Sequence, residues 1–168
     1  MKSQRPLDRP VRRPAAPLDA ADRRILDVLQ NDNQITNLAL ADKIGLSPPA
    51  CLKRVRRLRA EKVIVKDVAV LDPESVGHSI VAFVGVELDR QREDVLAAFE
   101  RRIATEPEIQ QCYFVSGEID YLLTVLCRDM EAYNGFARRV LATEHNIKRF
   151  RTSFSLSRVK YETRIRLD

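Results

Sequence analysis

The chain has 168 residues, is 45% hydrophobic and 32% charged, and carries a formal net charge of +5. That length holds one ordinary domain or two small ones. No apolar run reaches the roughly 18 residues that a membrane span needs, and the N-terminus lacks the apolar core of a signal peptide. The expectation is a cytoplasmic protein with no membrane partner. The charge is uneven: residues 1–62 hold 14 Lys/Arg against 7 Asp/Glu, a net of +7, while residues 63–168 hold 15 against 17. A positive half suits a polyanion partner, above all double-stranded DNA. Cys51, Cys112 and Cys127 are widely spaced, with no metal-ligand spacing, and read as reduced thiols rather than a metal site.

Residues 1–17 contain Pro6, Pro10, Pro14 and Pro17 and five cations against the single acid Asp8. They read as a disordered basic tail, either solubilising or able to lie along a phosphate backbone. Structure is expected from Leu18. Asp19 is placed to cap a helix running to about Asn31 with Ile25, Leu26 and Leu29 inward. Thr36 is placed to cap a shorter helix that ends at Gly45, with Leu38, Leu40, Ala41 and Ile44 as its apolar stripe. A third helix runs from Pro48 to Ala60, with Ser47 as N-cap and Pro48 at its first position.

Wound at about 100° per residue, the third helix puts Cys51, Leu52, Val55 and Leu58 on one face. Pro49, Ala50, Lys53, Arg54, Arg56 and Arg57 fall on the other side. A charged face is often only a solvated face. Here the run Lys53 to Arg59 contains no acid until Glu61, and a helix and a Gly turn precede it. That is the helix-turn-helix pattern, whose second helix enters the major groove. The expected DNA-contacting residues are Ser47, Pro49, Ala50, Lys53, Arg54, Arg56, Arg57 and Arg59, with Arg54 or Arg57 reading a guanine and Arg56 and Arg59 holding phosphates.

Val63 to Leu71 is β-branched and reads as an extended wing and linker, broken by Asp72-Pro73. Beyond it the expected elements are a strand over 79–88, a helix over 92–105, and strands over 108–116 and 121–127 that form a hairpin. A helix over 129–143 and a strand over 150–160 follow. The order βαββαβ is ferredoxin-like, with two helices on one sheet face. The other face needs a cover, and Phe83, Tyr113, Leu123 and Phe154 are the candidates to meet another subunit. The fold class is thus α+β, in four parts: 1–17 tail, 18–62 helix-turn-helix, 63–78 wing and linker strand, and 79–168 ferredoxin-like domain.

Several spaced motifs resemble the Lrp/AsnC, or feast/famine, family of prokaryotic transcription regulators. They are Leu18-Asp-x-x-Asp-x-x-Ile25-Leu, Leu40-Ala-x-x-Ile-Gly-Leu-Ser47, Cys51-Leu-x-Arg-Val-x-x-Leu58, Val63-Ile with Ala69-Val-Leu-Asp72, Gly117-x-x-Asp120-Tyr121-Leu-Leu, Arg128-Asp-Met-x-x-Tyr133 and Val159-Lys160. The resemblance covers about residues 18–166. It implies a winged helix-turn-helix, a linker strand and an effector domain. It also implies a homodimer assembling to an octamer, with an amino acid or related small effector bound between dimers. Residue by residue it places the effector site at Tyr113, Gly117, Glu118, Asp120, Met130, Thr152, Ser153 and Ser155. The family pattern Gly-Asp-Tyr/Phe-Asp is here Gly117-Glu-Ile-Asp120, and Lys62 stands where the family favours Gly. An alternative of the same architecture is a tetrapyrrole decarboxylase of the sirohaem type, which relies on His and Arg. Only His78 and His145 are present, neither beside an evident base or metal. The resemblance, the charge split and the absence of a catalytic motif favour a regulator without catalytic residues or a cofactor.

Overall fold

The computed structural model describes residues 18–167, which fall into two compact units. The helical unit comprises residues 18–70 together with 160–167, and the sheet unit is Leu71–Val159. Residues 1–17, which the sequence reading makes a basic tail, lie outside the described residues.

The helical unit contains α1 (Ala20–Asn31), α2 (Asn37–Ile44) and α3 (Pro48–Ala60). The α1 start is a reciprocal capping box: Asp22 N–H donates to Asp19 Oδ1 at 2.8 Å and Asp19 N–H donates to Asp22 Oδ2 at 3.2 Å. Thr36 Oγ1 accepts from Ala39 N–H at 3.2 Å, and Gly45 closes α2 at φ 73°. Ser47 occupies the N-cap position of α3, but its hydroxyl makes no capping bond. Pro48 and Pro49 carry no N–H, so of the first three helical positions only Ala50 has a donor left to cap. Ile25, Leu40, Ala41, Ile44, Cys51, Val55 and Leu58 form the core. Leu38 and Leu52, both expected inside, are 69% and 37% exposed.

At the end of α3 the chain reverses through Lys62 at φ 59°, with Val63 N–H donating to the Leu58 carbonyl at 2.9 Å. The helix therefore ends in a left-handed turn, the conformation that glycine adopts most freely, and it does so with a lysine. Val63 and Ile64 pack on the helical core, but Val65, Val68, Val70 and Leu71 are exposed and form no strand ladder among the described residues. The expected wing strand pairs with no other strand among the described residues. The last residues, expected to belong with the sheet, join the helices instead. Leu167 packs on their core, and Gln30 exchanges two hydrogen bonds with the Ile165 backbone, at 3.0 and 2.6 Å.

The sheet unit contains β1 (Ile80–Leu88), α4 (Glu93–Ile103), β2 (Ile109–Phe114), β3 (Tyr121–Cys127), α5 (Met130–Phe136) and β4 (Ile147–Phe154). A π turn at Ala137–Leu141 continues α5. The strands form one antiparallel sheet in the order β2-β3-β1-β4. Its inner face, with Ala82, Val84, Val86, Tyr121, Leu123 and Val125, packs under α4 and α5 through Leu96, Phe99, Tyr133 and Phe136. Leu123 and Phe154 are therefore on the covered side: Leu123 is buried, and Phe154 meets the Tyr133 ring edge-on at 4.9 Å. Phe83, Tyr113, Leu122 and Leu126 lie on the open side by strand alternation.

Candidate functional site

Helix α3 turns Cys51, Val55 and Leu58 inward and leaves Pro49, Ala50, Lys53 and Arg56 exposed. Among the described residues, neither Lys53 nor Arg56 makes an ion pair. Arg59 pairs with Asp67 at 3.0 Å. Arg54 and Arg57 behave differently from what the helical wheel suggests. The Arg54 guanidinium donates to Asp19 Oδ2 at 2.6 Å and to Asp22 Oδ1 at 2.9 Å, while Arg57 donates to Asp22 Oδ2 at 2.5 Å.

Asp22 is 1% exposed. Burial acts to raise its pKa, but hydrogen bonds from Arg57, Arg54 and the Asp19 N–H outweigh burial and hold the carboxyl below its ordinary value. Stripping one partner from a buried ion pair costs about 3–5 kcal/mol. A good side chain–base pair supplies about 1–3 kcal/mol of discrimination. The balance favours both guanidinium groups staying where they are. Sequence reasoning gave Asp19 only the role of a helix cap and gave Asp22 none, although one signal was present: Asp22 lies on the same helical face as Ile25, Leu26 and Leu29, where a lone carboxylate needs a partner.

The eight expected effector residues do not converge within the chain. Tyr113 is on the open face of β2, and Gly117 turns the β2–β3 hairpin at φ 132°. Glu118 borders a shallow cleft with Gly85, Glu87, Ile119, Arg149 and Arg151. Ile119 lies directly over Gly85: a Cβ added there would meet its side chain at 3.2 Å. Asp120 is turned inward and is already engaged, accepting from Leu88 N–H at 2.7 Å and from Gln91 Nε2 at 2.6 Å. Thr152 is also on the helix side, sharing a 2.5 Å hydrogen bond with the Tyr133 hydroxyl. Ser153 pairs with Phe83 on the open side. Ser155 N–H donates to the Val81 carbonyl at 2.9 Å, and Met130 begins α5. In the cleft, Glu87 accepts from Lys148 at 2.5 Å and from Arg149 at 2.6 Å, and these two bonds hold its carboxyl below the ordinary value. Both histidines are exposed, and His78 Nδ1 sits 3.2 Å from the Val76 carbonyl.

Three helices with a basic outer helix, joined to a ferredoxin-like sheet unit, define a DNA-binding regulator of two-domain type. The winged helix-turn-helix DNA-binding profile matches residues 18–65, and the Lrp/AsnC ligand binding domain profile matches residues 81–165. The chain is 38% identical to the leucine-responsive regulatory protein of Escherichia coli K12 over 154 residues, covering 92% of this chain and 94% of that one. It is 41% identical over 146 residues to an HTH-type transcriptional regulator of Sinorhizobium fredii, covering 87% and 86%. It superimposes with a TM-score of 0.84 and 34% identity on the transcriptional regulator NMB0573 of Neisseria meningitidis, solved with L-Met, covering 90% of this chain and 98% of that one. The protein belongs to the Lrp/AsnC family of transcriptional regulators. Its relatives are named as regulators rather than enzymes, which sets aside the tetrapyrrole decarboxylase. No helix among the described residues is long and apolar enough to cross a membrane.

Proposed function

We propose that this regulator reads double-stranded DNA through the outer face of α3 and tunes that binding with an amino acid. The observation that carries the reading is the exposed surface of Pro49, Ala50, Lys53 and Arg56 at the groove end of the second helix of the motif. Ser47 stands at the mouth of that helix, and Arg59 with Asp67 lies near its far end, where it meets phosphate. The working form is a homodimer, with an octamer as the larger assembly. The dimer forms over the open sheet face, where Phe83 and Tyr113 are exposed.

The effector is an α-amino acid. The cleft at Glu118, Arg149 and Arg151 offers both charge signs that a zwitterion needs. Asp120 is committed to the Leu88 amide and Gln91, so Glu118 takes the ammonium instead, with Tyr113 and Ser153 on the same side of the sheet. A second copy completes the site, which couples occupancy to assembly and hence to DNA affinity. The L-Met complex of the Neisseria relative favours this class of ligand. Calorimetry of the full chain against the twenty amino acids tests it. At least one should bind to the wild type and lose affinity in Glu118→Ala. Binding by none, or binding indifferent to Glu118→Ala, removes this site.

A further inference from the structure

The buried carboxylate between α1 and α3 bears on how the DNA is read. Arg54 and Arg57 lie on the flank of α3 that faces α1, and Asp22 accepts from both, at 2.9 and 2.5 Å. Asp19 adds a second acceptor for Arg54 at 2.6 Å. Asp22 is 1% exposed, so the departure of either guanidinium strips a buried carboxylate of one of its two ion pairs, and the departure of both leaves its charge unmatched. Lys53 and Arg56, one and two turns into the helix on its outer face, have no such partner among the described residues. Lys53 sits roughly a turn before Arg56, at the spacing of successive positions that a groove-bound helix presents to bases.

We propose that Asp22 is a specificity-determining positioning residue, which holds Arg54 and Arg57 on the α1 side of α3 and leaves base reading to Lys53 and Arg56. The inference rests on α3 being the helix that enters the major groove. Asp22 thereby withholds two strong, sequence-tolerant cations from the phosphates, which would otherwise raise affinity for any duplex.

The test uses the full-length protein, a duplex recovered by in vitro selection with the wild type, and a scrambled duplex of the same composition. Binding to each is measured over a salt series. Asp22→Asn keeps the side chain's shape but removes its charge. It should tighten binding to the scrambled duplex, lower the specific-to-scrambled affinity ratio by about ten-fold, and steepen the salt dependence by one to two released counterions. A purely structural role for Asp22 predicts equal weakening on both duplexes at an unchanged salt slope, and that result would overturn the proposal. If Asp22→Asn does not fold, Asp19→Asn remains informative, since Asn is as good an N-cap as Asp. It neutralises one of the two carboxylates that hold Arg54 and should move the ratio and slope in the same direction by less; no movement counts against the proposal. Selection repeated with Arg54→Gln and Arg57→Gln should recover the wild-type motif, whereas Lys53→Ala and Arg56→Ala should each relax one position about ten-fold. The reverse pattern sinks the proposal while leaving α3 as the reading helix. Four unchanged motifs would remove α3 from that role altogether.

Discussion

Lys62 is the clearest case of local cost at the scale of the single residue. Its φ of 59° is a left-handed conformation that a side chain with a Cβ adopts at about 1 kcal/mol or more. Lys62→Gly should therefore raise stability by about 1 kcal/mol, less what the added freedom of glycine gives the unfolded chain. A higher denaturation midpoint at an unchanged m-value would show it. Asp120 is the second case. Its carboxylate accepts the Leu88 amide and the Gln91 side chain, so Asp120→Ala orphans a buried N–H and should cost about 1–3 kcal/mol. That loss should appear without any added amino acid, which separates a structural aspartate from an effector ligand. Asp22 gives a pH signature. Its folded-state pKa is below the ordinary value of 3.8, so its ion pairs stabilise the fold above that value and are lost as the pH falls through the lowered one. The wild type should lose stability below pH 3.8 more steeply than Asp22→Asn, as denaturation curves taken at successively lower pH would show.

At the scale of the element, period and caps made most of the fold legible. Asp19, Thr36 and Gly45 mark helix ends that the structure keeps, and β3 runs over Tyr121–Cys127 as expected. The misses have physical causes. Tyr121-Leu-Leu-Thr-Val-Leu-Cys is apolar at both phases of a period of two, so nothing in it says that Leu123 faces the helices. Phe154 shares a phase with Phe150, but only the pairing of Ala82 with Phe154 shows that this phase is the covered one. The start of β4 at Ile147 is hidden behind Lys148 and Arg149, whose charges answer Glu87 on the neighbouring strand. Arg54 and Arg57 read as groove-facing because a wheel shows direction from the axis, not the carboxylate that waits beside it. The open sheet face carries the element-scale prediction. Phe83, Tyr113, Leu122 and Leu126 should meet a second copy, so Leu126→Lys should reduce the assembly seen by light scattering while the circular dichroism stays helical and β. Loss of helical signal together with assembly would mean that Leu126 serves the fold instead.

At the scale of the whole molecule, the basic first third and the nearly neutral remainder correspond to the helical and sheet units, and the two family profiles follow the same division except at residues 160–165, which the ligand-binding profile includes and the structure groups with the helices. What the sequence hid is that residues 160–167 return to the helices, because the pairing of Gln30 with Ile165 and of Arg164 with Asp27 joins positions 135 and 137 residues apart. The effector site is the least legible part. Its expected residues fall on both faces of one sheet, Thr152 on the helix side and Tyr113 and Ser153 on the open side. A two-fold dimer presenting two α3 helices should bind half-sites separated by a multiple of about 10–10.5 bp. Selection of random duplexes by the full-length protein tests this most directly. Enrichment of a pseudo-palindrome at that spacing, lost in a double Lys53→Ala, Arg56→Ala variant, is the expected result. An unenriched pool, or a motif that this variant still selects unchanged, would contradict DNA reading by α3.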